Sequence, residues 1–212
     1  VVIRNAIEKV DFVKKPKDKI NLIYHTTPWR GLIHLLKIFK KLNLQNVELN
    51  ICSSTKIYGK KFDSTLGKSY ENIFNECKNT KNVNYFGFLD NKKVIELLKK
   101  MHIFSHPSIW PETSCISAIE SMAAGCEVVT TNLGALYETC SPFGTFVNFD
   151  RNFENLEKRY SKVLLNSIKN YWSDENQRKL ELQSETINAT YSWDVRAKEW
   201  KKFFNEAREL KS

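Results

Sequence analysis

A chain of 212 residues, 42% hydrophobic and 27% charged, can bury a sizeable core as one domain or one and a half. Aromatic residues at 12% argue against disorder, and no apolar run approaches the roughly 18–20 residues of a spanning helix, which excludes an integral helical membrane protein. The formal net charge of +9 favours anionic partners, such as phosphates, anionic lipid or nucleic acid, without choosing among them.

That charge comes from 26 Lys against 7 Arg, beside 20 Asn. Lys and Asn share A/T-rich codons, so part of the excess reflects genome composition. The chain begins Val1-Val2-Ile3, with neither Met nor a signal peptide, and reads as a piece excised from something longer. Cysteines 52, 77, 115, 126 and 140 show no CxxC or other metal-type spacing, so buried free thiols in a reducing compartment are expected.

In chain order, the first apolar run is a strand at 20–24. Thr26-Thr27-Pro28 is a helix-entry signal, and Leu32, Leu35, Leu36, Phe39 and Leu42 follow at helical spacing, which predicts a helix over about 30–42. A second strand is expected at 47–52, then a polar loop over 54–69 containing Gly59 and Gly67, then a helix over 69–78. A third strand at 83–86 ends at Gly87, and Asn91 is placed to cap a helix through Met101. The strand at 103–106 stops at Pro107; a helix over 115–124, with Thr113 or Ser114 as its cap, stops at Gly125. Strands at 127–130 and 145–148 follow. From 154 onward the pattern is helical, with Ser192-Trp193-Asp194 opening a last helix over about 194–209.

Five alternations of strand and helix predict an α/β fold: a Rossmann-like parallel sheet with helices on both faces. There is no internal repeat and no Pro-, Gly- or Ser-rich linker. Ligands of such sheets bind beyond the carboxyl ends of the strands, which directs attention to 25–31, 53–60, 87–91, 107–115 and 131–138. In the fourth of these, Glu112 lies in a loop and Glu120, after seven intervening residues, lies two turns into a helix. The N-terminus of that helix can hold a diphosphate, and a carboxylate beside it can accept hydrogen bonds from sugar or ribose hydroxyls. The plain alternative is a carboxylate near a positive helix end and a second one solvated on the helix.

Around these residues the chain resembles the nucleotide-sugar-binding lobe of retaining glycosyltransferases of the GT-B fold, glycosyltransferase family 4. The resemblance rests on Pro107, the E-x7-E pair Glu112 and Glu120, Ala123-Ala124-Gly125, Val128-Val129, Asn132-Leu133-Gly134 and Glu138. Tyr24 to Leu36 is similar to the family's first strand and helix, and Val83 to Leu89 to its "v-x-f-x-G-x-l" segment. Ile3-Arg4-Asn5 resembles the entry to this lobe and Ser192-Trp193 its closing helix, so the likeness spans about 3–205.

The resemblance implies that residues 1–212 form the C-terminal, donor-binding lobe of an enzyme that moves a sugar from a nucleoside diphosphate to an acceptor hydroxyl. It implies Arg30 and Glu112 as catalytic residues: Arg30 on the donor diphosphate and the charge that develops on it, Glu112 beside the transferred sugar. Donor contacts fall to Arg30, Gly31, Glu112, Thr113, Ser114, Cys115 and Ile116, with Glu120 on the ribose hydroxyls. Gly87, Phe88 and Leu89 would hold the nucleobase, and Ser53 and Ser54 stand where relatives have a phosphate turn. It implies no cofactor and no metal. The donor is a nucleoside diphosphate sugar whose UDP, GDP or ADP character is not readable. The acceptor, a glycan, lipid or protein, would be met through an N-terminal lobe, on which the closing helix would pack. The isolated lobe would turn over little substrate. Localisation is expected to be cytoplasmic, with peripheral contact to an anionic membrane at its inner face.

Three positions depart from the family pattern. His25 stands where an Arg is usual, Thr113-Ser114-Cys115 replaces a Gly-Phe-Gly-like segment, and Asn5-Ala6 replaces Asn-Gly. The remaining histidines, 34, 102 and 106, have no carboxylate cluster around them in sequence, and His102 with His106 makes a poor metal pair across a strand. The lysine pairs at 40–41, 60–61, 92–93, 99–100 and 201–202 are scattered and lack interleaved aromatics, so no nucleic-acid partner is expected. A non-catalytic nucleotide-sugar-binding or scaffolding module is the alternative reading.

Overall fold

The computed structural model describes residues 1–209. Strands β1 (Ile20–Tyr24), β2 (Val47–Ile51), β3 (Val83–Tyr85), β4 (Ile103–His106), β5 (Glu127–Thr131) and β6 (Thr145–Val147) form one sheet in the order β3-β2-β1-β4-β5-β6, and every neighbouring pair is parallel. The central strands β1, β4 and β5 are buried at every position, whereas edge strand β3 is only partly covered. That is why the central strands read as mainly apolar or small-residue runs, with Asn21, His106 and Glu127 as buried polar exceptions and no regular alternation.

The helices are α1 (Leu32–Leu42), α2 (Lys60–Asn79), α3 (Asn91–Leu98), α4 (Ile116–Ala123), α5 (Leu136–Cys140), α6 (Phe153–Asn170), α7 (Asp174–Tyr191) and α8 (Trp193–Glu209). On one face Leu22, Tyr24 and Leu49 pack with Leu35, Leu36 and Phe39 of α1 and with Leu156, Tyr160 and Leu164 of α6. On the other, Ile23, Phe104 and Val128 pack with Ile119, Met122 and Ala123 of α4 and with Ile187 and Tyr191 of α7. The sheet is therefore covered on both faces, as the alternating pattern predicts, and the fold is α/β and Rossmann-like.

The segment before β1 is held along the second face. Ile7 N donates to Tyr191 O, and Val10 N to Asn188 Oδ1. Lys15 is buried and its ammonium donates to Ala124 O (2.6 Å), Leu98 O (2.9 Å) and Lys99 O (3.3 Å). These carbonyls close α3 and α4, so one cation satisfies the negative ends of two helices at the edge opposite the ligand side. Burial lowers the Lys15 pKa from its ordinary value, while the Cys126 thiol beside it pulls the other way.

Local expectations fail in four places. Residues 60–69 are helix, not loop, because α2 starts at Lys60. Phe62, Leu66, Tyr70 and Phe74 recur every fourth residue, and Phe62 and Tyr70 close on the Trp29 ring at centroid distances of 5.6 and 5.9 Å. This aromatic packing overrides the polar composition and Gly67. Asn91 does not cap α3: Asp90 does, accepting from Lys93 N at 3.0 Å, and the helix stops at Leu98. Neither Thr113 nor Ser114 caps α4, whose N-cap is Cys115 with no side-chain cap bond. Helix α5 was not anticipated at all. All five cysteines are free and buried, as expected. No helix among the described residues is long and apolar enough to cross a membrane.

Candidate active site

Strand β1 feeds α1 on one face of the sheet and β4 feeds α4 on the other. Their connections diverge at the carboxyl edge and leave a crevice at this switch point. A cavity of about 420 Å³ opens there, bordered by the 25–30 turn, the 52–58 segment, the 87–91 loop and the first turns of α4.

The loop after β4 is clamped between two glycines. Gly31 adopts φ +131°, and a Cβ there would lie 2.2 Å from Pro107 O; Gly134, at φ +63°, would place one 2.5 Å from Glu112 O. Only glycine permits both these backbone angles and the close approach. Ala135 N then donates to Glu112 O at 2.7 Å, and Ile109 N to Arg30 O at 3.3 Å. The loop that carries Glu112 is thus tied to both neighbouring loops.

The side chains meet as well. Arg30 Nη1 donates to both Glu112 oxygens, at 2.9 and 2.8 Å. The Glu112 side chain is 3% exposed and that of Arg30 is 23% exposed. Burial pushes the Glu112 carboxyl above its ordinary range, and the guanidinium draws it part of the way back. Arg30 Nε is buried without a protein partner, as are Thr27 Oγ1 and Ser53 Oγ. Unpaired buried polar atoms are uncommon in folded proteins, and these three cluster on the elements that border the crevice.

Glu120 stands on the far wall, 8% exposed, and accepts from Asn91 Nδ2 at 2.7 Å. Burial again raises its carboxyl pKa, and the Asn91 bond only partly offsets this. Ser117, in the first turn of α4, donates to His25 O at 3.0 Å. His25 Nε2 lies 2.7 Å from Ser121 Oγ, and burial holds its imidazole pKa down to about 4. It is therefore neutral at physiological pH and brings no charge to the crevice.

Of the residues expected at the site, Arg30, Ser54, Gly87, Phe88, Leu89, Ile116 and Glu120 border the cavity. Glu112 joins it through Arg30. Gly31 packs on Pro107, Ser53 is buried beside it with its carbonyl accepting from Tyr85 Oη, and Cys115 is a buried thiol whose pKa is pushed up to about 12. Thr113 is exposed and Ser114 half-buried on the outer loop. Sequence reasoning missed Asn91, Ser117 and Ser121 as members of the site. The usable signal was Asp90-Asn91, two residues able to cap where one helix start needs only one.

His106, Glu112 and Cys115 place three metal-capable atoms within 4.8 Å of one another. Both Glu112 oxygens are already bonded to Arg30, whose positive charge opposes a cation there. Burial and the nearby Arg30 push the His106 pKa down to about 3. His102 is committed elsewhere: its Nδ1 accepts from Asn21 N, and its Nε2 donates to Pro16 O.

Sheet order and switch-point crevice define a Rossmann-like domain, the fold shared by GT-B glycosyltransferase domains. The chain belongs to the glycosyl transferases group 1 family, whose model matches residues 4–180. It is 26% identical to the "Uncharacterized 41.2 kDa protein in cps region" of Klebsiella pneumoniae, over 70% of this chain and 41% of that protein. In fold it is similar to a glycosyltransferase from Rickettsia africae (TM-score 0.67, 19% identity, 90% of this chain and 48% of that one). It is also similar to Anabaena HepE, solved with UDP and glucose (TM-score 0.70, 12% identity, 89% and 49%). Sucrose-phosphate synthase from Thermosynechococcus elongatus shares the fold too (TM-score 0.68, 17% identity, 92% and 47%). The chain spans about half the length of these solved relatives and 41% of the curated one.

Proposed function

We propose that residues 1–209 are the donor-binding lobe of a retaining glycosyltransferase whose acceptor is held by a second, N-terminal lobe. The observation that carries this reading is the Arg30–Glu112 pair beside the first turn of α4, with Glu120 across the same crevice. The N-terminal end of α4 has no side-chain cap, so its partial positive charge faces the crevice beside Arg30. A nucleoside diphosphate fits this arrangement: phosphates at Arg30 and the helix end, ribose hydroxyls at Glu120, and the base along Gly87 to Leu89.

In the transfer step, negative charge grows on the diphosphate as the anomeric carbon–oxygen bond breaks. Arg30 stabilises that charge from a fixed position, in a site that burial shields from water. Glu112 lies beside the transferred sugar and contacts its hydroxyls and the electron-poor anomeric region. The acceptor proton goes to the departing diphosphate on the same face, which preserves the anomeric configuration. Ion pairs at Lys40, Lys93, Lys99 and Lys202 support a solvated-surface role for those lysines.

Calorimetric titration with UDP, GDP and ADP and their sugars tests the lobe, and a transfer assay on the full-length protein tests the enzyme. Arg30→Ala is expected to weaken nucleoside diphosphate binding by about 100-fold, the scale of a lost charge-assisted contact to phosphate. Affinity unchanged in both Arg30→Ala and Glu120→Ala would remove the site assignment. Binding without transfer by the full-length protein would favour a non-catalytic module.

A further inference from the structure

The start of α3 offers two side chains suited to capping, and the fold gives them different work. Asp90 takes the cap, its Oδ1 accepting from Lys93 N at 3.0 Å and its Oδ2 pairing with Lys93 Nζ at 3.2 Å. Asn91 is thereby free to reach across the crevice to α4, where its Nδ2 donates to Glu120 Oε1 at 2.7 Å. Asn91 contributes little to the core, being itself exposed, so this long-range bond is its principal contact. It is also the side-chain hydrogen bond that Glu120 receives among the described residues, although that carboxylate is 8% exposed.

A carboxylate on a helix surface ordinarily rotates among several rotamers, and a second fixed contact removes that freedom. The chemical type of the partner matters too. A cation in this place would compete with a ligand for the carboxylate charge, as Arg30 does at Glu112. The amide of Asn91 donates one hydrogen bond, leaves the negative charge intact, and leaves the second oxygen free to accept from the cavity.

We infer that Asn91 is a positioning residue that fixes Glu120 for the vicinal hydroxyls of a ribose, and so sets the preference for ribonucleotide over deoxyribonucleotide donors. This rests on the donor-binding reading above. Asn91 itself contacts the carboxylate, and Glu120 contacts the ligand.

The test is calorimetric titration of the 212-residue chain with UDP, GDP and ADP, followed by the 2′-deoxy and 3′-deoxy forms of the tightest of the three. The native chain is expected to prefer the ribonucleotide to at least one deoxy form by about tenfold or more, the effect of losing a hydrogen bond to a charged group. Asn91→Ala should cut that ratio to about threefold or less, with an unchanged circular dichroism spectrum and a single cooperative unfolding transition at a modestly lower Tm. Asn91→Asp, which sets a second carboxylate against Glu120, should cut it at least as far. The double variant with Glu120→Gln should discriminate no less than Glu120→Gln alone, since the two residues act through one contact. A native ratio retained in Asn91→Ala overturns the inference while leaving the donor site standing. A native chain that binds a nucleoside diphosphate but ignores the ribose hydroxyls overturns it together with the role of Glu120. A native chain that binds none of the three removes the donor reading itself.

Discussion

Glu112 and Glu120 sit at the same sheet edge with seven residues between them, both buried, yet their surroundings are opposite in kind. Glu112 is held by a guanidinium, so the pair is close to neutral as a unit. Glu120 is held by an amide and keeps its charge. The difference teaches what each can offer a ligand. Glu120 is available to hydroxyl donors as it stands. Arg30, by contrast, is already occupied, and a diphosphate must compete with Glu112 for it. Local sequence cannot distinguish the two carboxylates; their partners, on the β1–α1 turn and at the start of α3, come from distant parts of the chain.

Removing the Glu112 charge sharpens the contrast most. Glu112→Gln leaves Arg30, 23% exposed, without its counter-charge. The freed guanidinium should then bind a nucleoside diphosphate about three- to tenfold more tightly, even as sugar transfer by the full-length protein is lost.

Glu120→Gln is expected to move affinity the other way. Affinity should fall about five- to tenfold through weaker acceptance from the ribose hydroxyls. Stability at neutral pH should rise, because burial raises the Glu120 pKa above its unfolded value. The sign follows from linkage: a carboxyl that holds its proton more tightly when folded favours the folded state in acid and disfavours it once ionised. The gain should therefore appear above the raised pKa and vanish as pH falls below the ordinary carboxylate range. Equal Tm values for the native chain and Glu120→Gln at pH 7 would break this half of the comparison.

The smallest effect is the pH profile of binding. Nucleoside diphosphate affinity of the native chain should decline on acidification at a pH above that of an ordinary glutamate, as Glu120 takes up its proton. Titrations at successive pH values on native protein and Glu120→Gln check this. The part of that limb owed to Glu120 should be missing from the variant, leaving only what Glu112, whose carboxyl is also raised, and the diphosphate itself contribute; His25 and His106 stay neutral there and ionise only near pH 4 and 3.

Much of the frame was legible in the chain because its signals are local. Ile20–Tyr24 and Val47–Ile51 announce buried parallel strands by composition, and Gly125 ends α4 where it was expected to. The E-x7-E pair stood out by spacing and Arg30 by resemblance, and the strand order brings all three to the same sheet edge. What stayed hidden depends on partners far away in sequence. The first turns of α2 form because Phe62 and Tyr70 find Trp29. Lys15 looks like one more surface lysine until the ends of α3 and α4 converge on it. Asn91 looked like a cap because Asp90 beside it suits the same role, and only the distant Glu120 shows which of the two is spare.

The most direct measurement is a paired calorimetric titration of the native chain, Glu112→Gln and Glu120→Gln with the same nucleoside diphosphate at pH 7. Opposite displacements are predicted, tighter for Glu112→Gln and weaker for Glu120→Gln. Displacements of the same sign, or affinities indistinguishable from native in both variants, would contradict the account.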